Sequence, residues 1–209
     1  MPLLSSLYSA FHSPPTHNSC IGCYACQLAC KVEHGTPPGV LFARVLKREE
    51  GHYPTVRQLF LPVLCNHCEE APCVEVCPTG ASFKWEEDGI VDIDADKCVG
   101  CRACMMACPY SNRYYNDGQQ NYYESGVTDY ERARVSQHQT DVVMKCNFCR
   151  DRVRAGKQPA CVENCPTVAR YFGDLDDPNS EVSRLIKERG GFPLHPELGT
   201  KPSVYYLPP

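Results

Sequence analysis

Sixteen cysteines stand in this 209-residue chain. They fall into four groups of four with none left over: Cys20, Cys23, Cys26 and Cys30; Cys65, Cys68, Cys73 and Cys77; Cys98, Cys101, Cys104 and Cys108; Cys146, Cys149, Cys161 and Cys165. Thiols this closely spaced can close disulfides, grip a structural zinc ion or carry iron–sulfur clusters. A bridge between C-x-x-C neighbours closes little loop entropy, and disulfide frameworks belong to small secreted domains that lack a core. Zinc sites pair two knuckles across an intervening stretch, whereas the first and third groups set three cysteines in one tight loop with a fourth just beyond. The run C-x2-C-x2-C-x3-C-P is the bacterial [4Fe–4S] signature, in which the fourth cysteine reaches the neighbouring cluster. Cys98 to Cys108, followed by Pro109, matches it in full. The second group widens one gap and ends Cys77-Pro78, and the fourth widens it over 150–160 and ends Cys165-Pro166. The first keeps the spacing but puts Lys31 where proline would stand. The spacing therefore predicts sixteen metal ligands and excludes an open iron site.

If each fourth cysteine serves another cluster, the motifs must pair. Cys77 to Cys98 is the shortest link between motifs, about that of a simple two-cluster ferredoxin. Motifs two and three are expected to form an inner ferredoxin-like unit over 59–109, and motifs one and four an outer unit over 19–58 and 140–178. Sequential pairing, one with two and three with four, stays open on spacing alone. Strands are expected at Leu59 to Leu64, Gly89 to Ile93 and Asp141 to Met144, ahead of three motifs, and return strands at Ala81 to Trp85 and Ala169 to Phe172. Turn signals at Pro37-Pro38-Gly39 and Glu49-Glu50-Gly51 predict a hairpin within Gly35 to Arg57. Gly22, Gly100, Ala25, Ala29, Ala103 and Ala107 keep the cysteine loops compact. The fold class is thus α+β: two ferredoxin-like two-cluster units of short strands, short helices and long loops, with cover loops and an extended C-terminal tail.

The remaining segments read as covers. Residues 110–139 are polar and rich in tyrosine, suited either to a solvated loop or to a docking surface. In 179–209, Ser180 caps a helix carrying Val182, Leu185 and Ile186 on one face and stopped by Gly190-Gly191; the proline-rich tail is expected on the surface. Within the N-terminal segment, 1–18, Leu3, Leu4, Leu7, Tyr8 and Phe11 fall on one face of a short helix, which predicts a docking element that orders against a partner or the cluster domain. Met1 to Cys30 has no charged side chain. It is too interrupted for a membrane span and lacks the charged start and cleavage site of a signal peptide.

At 43% hydrophobic and 22% charged residues the chain is ordinary for a globular protein, which excludes disordered and coiled-coil classes. Its formal charge of −4 counts the thiols as neutral and becomes more acidic if they bind metal as thiolates. No G-x-G-x-x-G, P-loop or G-x-S-x-G motif offers catalysis of its own. His67, inside motif two, is expected to pack or hydrogen-bond beside a cluster, since the cysteine ligands are complete. Lys97, Arg102, Lys145, Arg150 and Arg170 flank ligands and are expected to ease reduction.

Four motifs in this order resemble a known family. The residues that carry the resemblance are Cys65-Asn-His-Cys-Glu-Glu-Ala-Pro-Cys-Val-Glu-Val-Cys-Pro-Thr-Gly-Ala81, Ala160-Cys-Val-Glu-Asn-Cys-Pro-Thr167 and Phe172-Gly-Asp-Leu-Asp-Asp-Pro178. Over roughly Ser19 to Glu188 the chain is similar to the four-cluster electron-transfer (beta) subunits of polysulfide and dimethyl sulfoxide reductase-type molybdopterin oxidoreductases. That resemblance implies four [4Fe–4S] clusters, a molybdenum or tungsten pterin catalytic subunit as partner, an integral membrane quinone-reactive subunit, and a role in anaerobic respiration on sulfur compounds, sulfoxides or oxyanions. It implies a place on the extracytoplasmic face, reached by export with a partner, with the cytoplasm as the alternative. It also implies nested ligation. One cluster would take Cys20, Cys23, Cys26 and Cys165, the next Cys146, Cys149, Cys161 and Cys30, then Cys65, Cys68, Cys73 and Cys108, then Cys98, Cys101, Cys104 and Cys77. Relatives lead into the first motif with a strand, and Phe11-His-Ser-Pro-Pro-Thr-His-Asn18 departs from that pattern. A free-standing polyferredoxin and a zinc-binding interaction module are the competing readings.

Overall fold

The computed structural model describes residues 20–118 and 121–208, and the backbone of 4–9. Short elements dominate because the cysteine loops interrupt every longer run. Helix α1 (Ala25–His34) follows the first two cysteines and ends at Gly35 in the left-handed conformation. Strands β2 (Ala43–Glu50) and β3 (Arg57–Leu64) pair antiparallel from Ala43 opposite Leu64 to Glu50 opposite Arg57. The expected hairpin is therefore present, with the Leu59 to Leu64 run as its second strand. It joins the segment after motif one to the start of motif two. Val45, Val63 and Leu64 are buried at its base, and its tip is exposed.

Two smaller ribbons follow. β4 (Ser82–Lys84) pairs with β5 (Val91–Ile93) between motifs two and three, and β6 (Tyr114–Asn116) pairs with β7 (Val142–Met144) ahead of motif four. Single helical turns lie within or beside the later motifs: α2 (Pro72–Glu75), α3 (Ala103–Ala107), α4 (Arg150–Arg154) and α5 (Ala160–Glu163).

The largest sheet has four strands in the order β8, β1, β10, β9, from Arg170–Asp174, Leu4–Ser9, Val204–Leu207 and Phe192–Pro193. β1 runs antiparallel to β8 and parallel to β10. Two sequence expectations are corrected here. Leu4–Ser9 is a strand and not a helix, though it orders against the chain's own sheet, one of the two expected settings; Leu3 and Phe11 lie outside the described residues. A six-residue helix gains little alone, whereas a strand paired on both sides satisfies its backbone. The tail is not superficial either, because Val204, Tyr206 and Leu207 are at most 1% exposed and belong to the core. Helix α6 (Glu181–Arg189) matches expectation: Ser180 accepts from the Ser183 N–H, Gly190 closes the end, and Val182 packs with Tyr171 and Leu207. Among the described residues no helix is long and apolar enough to cross a membrane.

The tyrosine-rich segment exposes Tyr122, Tyr123 and Tyr130 in part, yet it is also tied to the cluster domain. Its π-helical turn (Glu131–Val135) presses Tyr130, Arg134 and His138 onto the end of α1. Tyr130 Oη donates to Lys31 O at 3.0 Å, Arg134 to Glu33 O, and His138 Nε2 to His34 O at 2.7 Å. These donors meet carbonyls of the last turn, two of which, Glu33 O and His34 O, the helix end leaves without an intrahelical partner, so the segment clamps the helix that bears Cys26 and Cys30.

Candidate metal centres

The four motifs place their loops by the same backbone device. The residue two after the first cysteine has a left-handed φ in every motif: Gly22 at 72°, His67 at 43°, Gly100 at 64° and Phe148 at 53°. Glycine fits this conformation without steric cost. At Gly100 it is also required by space, because a Cβ there would lie 2.2 Å from the Asp141 carbonyl oxygen. His67 and Phe148 occupy the same position in motifs two and four, and their rings stack on each other with centroids 3.7 Å apart. That contact joins motif two to motif four and offsets the strain of two bulky left-handed residues.

Thiols of different motifs lie within electrostatic reach of one another. Cys20 is influenced electrostatically by Cys165 and Cys23, and Cys26 by Cys161, Cys20 and Cys165. Cys146 faces Cys30, Cys149 and Cys161. Cys68 faces Cys65, Cys73 and Cys108, and Cys104 faces Cys98 and Cys77. Cys77, Cys98, Cys101 and Cys104 line one small pocket, with Arg113 at its wall. Half of the sixteen thiols or more are buried; Cys23 and Cys101 are exposed.

Burial pushes the protonation of many of them up. Cys68 and Cys149 are raised to about 12, and Cys30 and Cys146 are raised as well, in each case chiefly by desolvation. Cys77 goes the other way: desolvation raises it, but hydrogen bonds to its thiolate, including one from the Ser82 N–H at 3.3 Å, together outweigh that. Ala169 N–H donates likewise to Cys165 Sγ at 3.2 Å, and Val143 N–H to Cys98 Sγ at 3.5 Å. Backbone donors aimed at sulfur are what an anionic thiolate centre needs.

Of the five flanking cations, Arg170 and Lys145 are buried and lower the cost of thiolate charge, Arg170 at Cys20 and Cys26, Lys145 at Cys146. Arg150 is buried too, but its guanidinium is taken by Asp88 at 2.7 Å and Glu87 at 2.8 Å and stacks on Trp85. Lys97 and Arg102 are exposed; Lys97 pairs with Asp94 and Arg102 lies over the Tyr115 ring. Three residues escaped sequence reasoning. Arg113, 4% exposed, donates to Cys73 Sγ at 2.9 Å. His34 Nε2 lies 3.1 Å from Cys149 Sγ. Lys31, in the proline position, sets its ammonium against Thr36 O, Pro37 O and Val40 O and thereby closes the loop after α1. The one visible signal was Lys31, which stands where other motifs carry proline; Arg113 and His34 lie outside the cysteine patterns.

His67 is fully buried and held neutral by that burial, its Nδ1 accepting the Val91 N–H at 3.1 Å. The imidazole therefore carries its proton on Nε2, which finds no acceptor among the protein atoms. Nε and Nη1 of Arg113 are buried donors in the same condition. Such groups are costly unless a bound acceptor meets them, and the sulfides of an iron–sulfur cluster are acceptors. The donor set fits as well: sixteen soft sulfur ligands in fours suit iron and sulfide.

Two family models, each for a 4Fe–4S dicluster domain, match the chain, one over residues 56–134 and 126–175 and the other over 19–81. A dimethyl sulfoxide reductase iron–sulfur protein of Halobacterium salinarum is 46% identical over 202 residues, covering 90% of this chain and 75% of that one. One subunit of the sulfite dehydrogenase of Allochromatium vinosum is 42% identical over 91% of this chain and 80% of its own length. The arsenate respiratory reductase iron–sulfur subunit of a Shewanella species is 38% identical over 90% and 92%.

Proposed function

Because the chain belongs to the family of 4Fe–4S electron-transfer subunits of respiratory oxidoreductases, we propose that it links a molybdenum or tungsten pterin catalytic subunit to a second redox partner. It carries four [4Fe–4S] clusters and contributes electron transfer, not substrate chemistry, to its complex. When bound, each cluster takes up and returns one electron with little change of geometry. The protein's part is to hold the thiols, exclude water and supply donors to sulfur. Cys20, Cys23, Cys26 and Cys165 hold one cluster; Cys30, Cys146, Cys149 and Cys161 the second; Cys65, Cys68, Cys73 and Cys108 the third; Cys77, Cys98, Cys101 and Cys104 the fourth. The observation that carries this assignment is the gathering of thiols across motif order. The outer ferredoxin-like unit then comprises motifs one and four, and the inner unit motifs two and three.

The second partner is an integral membrane subunit that exchanges electrons with quinone, and the complex lies on the extracytoplasmic face, exported with its catalytic subunit. Support comes from the respiratory character of the relatives. The substrate is a sulfur compound, sulfoxide or oxyanion, held entirely by the catalytic partner. Removing an inner cluster from the intact complex, by Cys104→Ser, tests the relay. Turnover with the physiological donor is expected to stop, while turnover with a dye that reduces the catalytic subunit directly survives. Loss of both activities would assign the chain a structural role instead.

A further inference from the structure

Arg113 stands apart from the other cations near the thiols. Its guanidinium is buried, and the groups that act on its charge are thiols: burial opposes the charge, and Cys73, Cys104 and Cys65 outweigh burial. One nitrogen, Nη2, donates to Cys73 Sγ at 2.9 Å and to Ser82 Oγ at 2.7 Å. The same side chain lines one pocket with Cys77, Cys98, Cys101 and Cys104. Ser82 in turn donates its N–H to Cys77 Sγ. Cys73 belongs to one inner quartet, and Cys104 and Cys77 to the other. Nε and Nη1 have no protein acceptor, so two further donors of the planar fork remain for cluster sulfur.

We propose that Arg113 sets the reduction potentials of both inner clusters at once, as a single buried cation hydrogen-bonded to a thiolate ligand of one and lining the pocket formed by the thiols of the other. The physical reason is that an added electron is an added negative charge, which a cation in a poorly solvated site stabilises, and that hydrogen bonds to sulfur and net charge set cluster potentials. A guanidinium can do this for two clusters because its donors point in several fixed directions in one plane; an ammonium, a point charge on a flexible stem, keeps the charge without the fork. The consequence is that the inner clusters are tuned as a pair and cannot drift far apart in potential through changes at this residue. Arg113 is a positioning residue in this role, acting on the ligands and not on any substrate. The proposal rests on the four-cluster reading, and it needs only that Cys73 and Cys104 hold different clusters, which is true of nested and sequential ligation alike.

The test is a potentiometric titration followed by electron paramagnetic resonance on the intact complex carrying Arg113→Gln or Arg113→Lys, with iron and sulfide counted in each. In R113Q two of the four midpoint potentials are expected to fall, each by at least a tenfold change in the equilibrium constant for reduction, about 59 mV for one electron. The other two stay where they are. In R113K the clusters are retained and the fall is smaller at both or confined to one. Two results overturn the proposal: potentials in R113Q that move at one cluster or none while iron content is full, and loss of inner clusters from both variants, which would make Arg113 part of the scaffold only. A parent protein with fewer than four clusters would instead defeat the functional reading itself, so the two failures are distinguishable.

Discussion

A methyl group at Gly100 is the smallest change that the cysteine loops cannot absorb. The residue has a left-handed φ, and its Cβ would meet the Asp141 carbonyl at 2.2 Å. Gly100→Ala is expected to cost about 1–3 kcal/mol through backbone strain and to empty the quartet of Cys77, Cys98, Cys101 and Cys104, which iron analysis reads as the loss of one cluster in four. Protonation gives a second prediction at this scale. Burial raises Cys68 and Cys149 from 9.0 to about 12, and iron must displace the proton from each. Protons therefore compete harder as the pH falls, and release of iron to a chelator should be faster near pH 6 than near pH 8. The cluster-free chain has the opposite dependence: its buried thiols favour the fold below about 9 and lose that contribution as the pH climbs towards about 12. The thiols themselves were legible because ligand spacing is local. Arg113 and His34 were not, since Arg113 meets Cys73 and Cys104 from another segment, and His34 meets Cys149 across more than a hundred residues.

Strand β1 shows how an element can be misread from a correct pattern. Leu4, Leu7 and Tyr8 suit a helical face, yet the segment is short, and partners on both sides, β8 and β10, supply its backbone hydrogen bonds. Local periodicity cannot register partners that lie some 160 and 200 residues away along the chain. The same holds for the tail, whose Val204 and Tyr206 look like parts of a proline-rich run until the sheet buries them. Helix α6 was legible to its ends because its cap and stop are its own residues, Ser180 and Gly190. Deleting residues 1–11 should accordingly do more than weaken assembly with a partner. It leaves β8 and β10 without the strand between them, and β8 follows directly on the Cys165 loop. Lower thermal stability and partial loss of iron are the expected readings; full iron content with normal stability would show that the sheet closes without β1.

At the scale of the molecule, ligation across motif order predicts that Cys30→Ser damages the cluster shared with Cys146, Cys149 and Cys161 and spares the one held by Cys65, Cys68 and Cys73. Spectra of the single variant decide between nested and sequential ligation. The pairing of motifs two and three was legible from the shortness of their link, and that of one and four only by elimination and resemblance, because a fold that returns to its beginning leaves no mark in local spacing. The return also fixes an order of birth. As the chain leaves the ribosome, both inner quartets are complete once Cys108 has emerged, whereas Cys20, Cys23, Cys26 and Cys30 must wait for Cys146 to Cys165 and, for their sheet, for Val204–Leu207. On the ligation proposed, the first cysteines to be synthesised are the last whose partners emerge, and through most of translation they are the thiols most open to oxidants, stray copper and zinc.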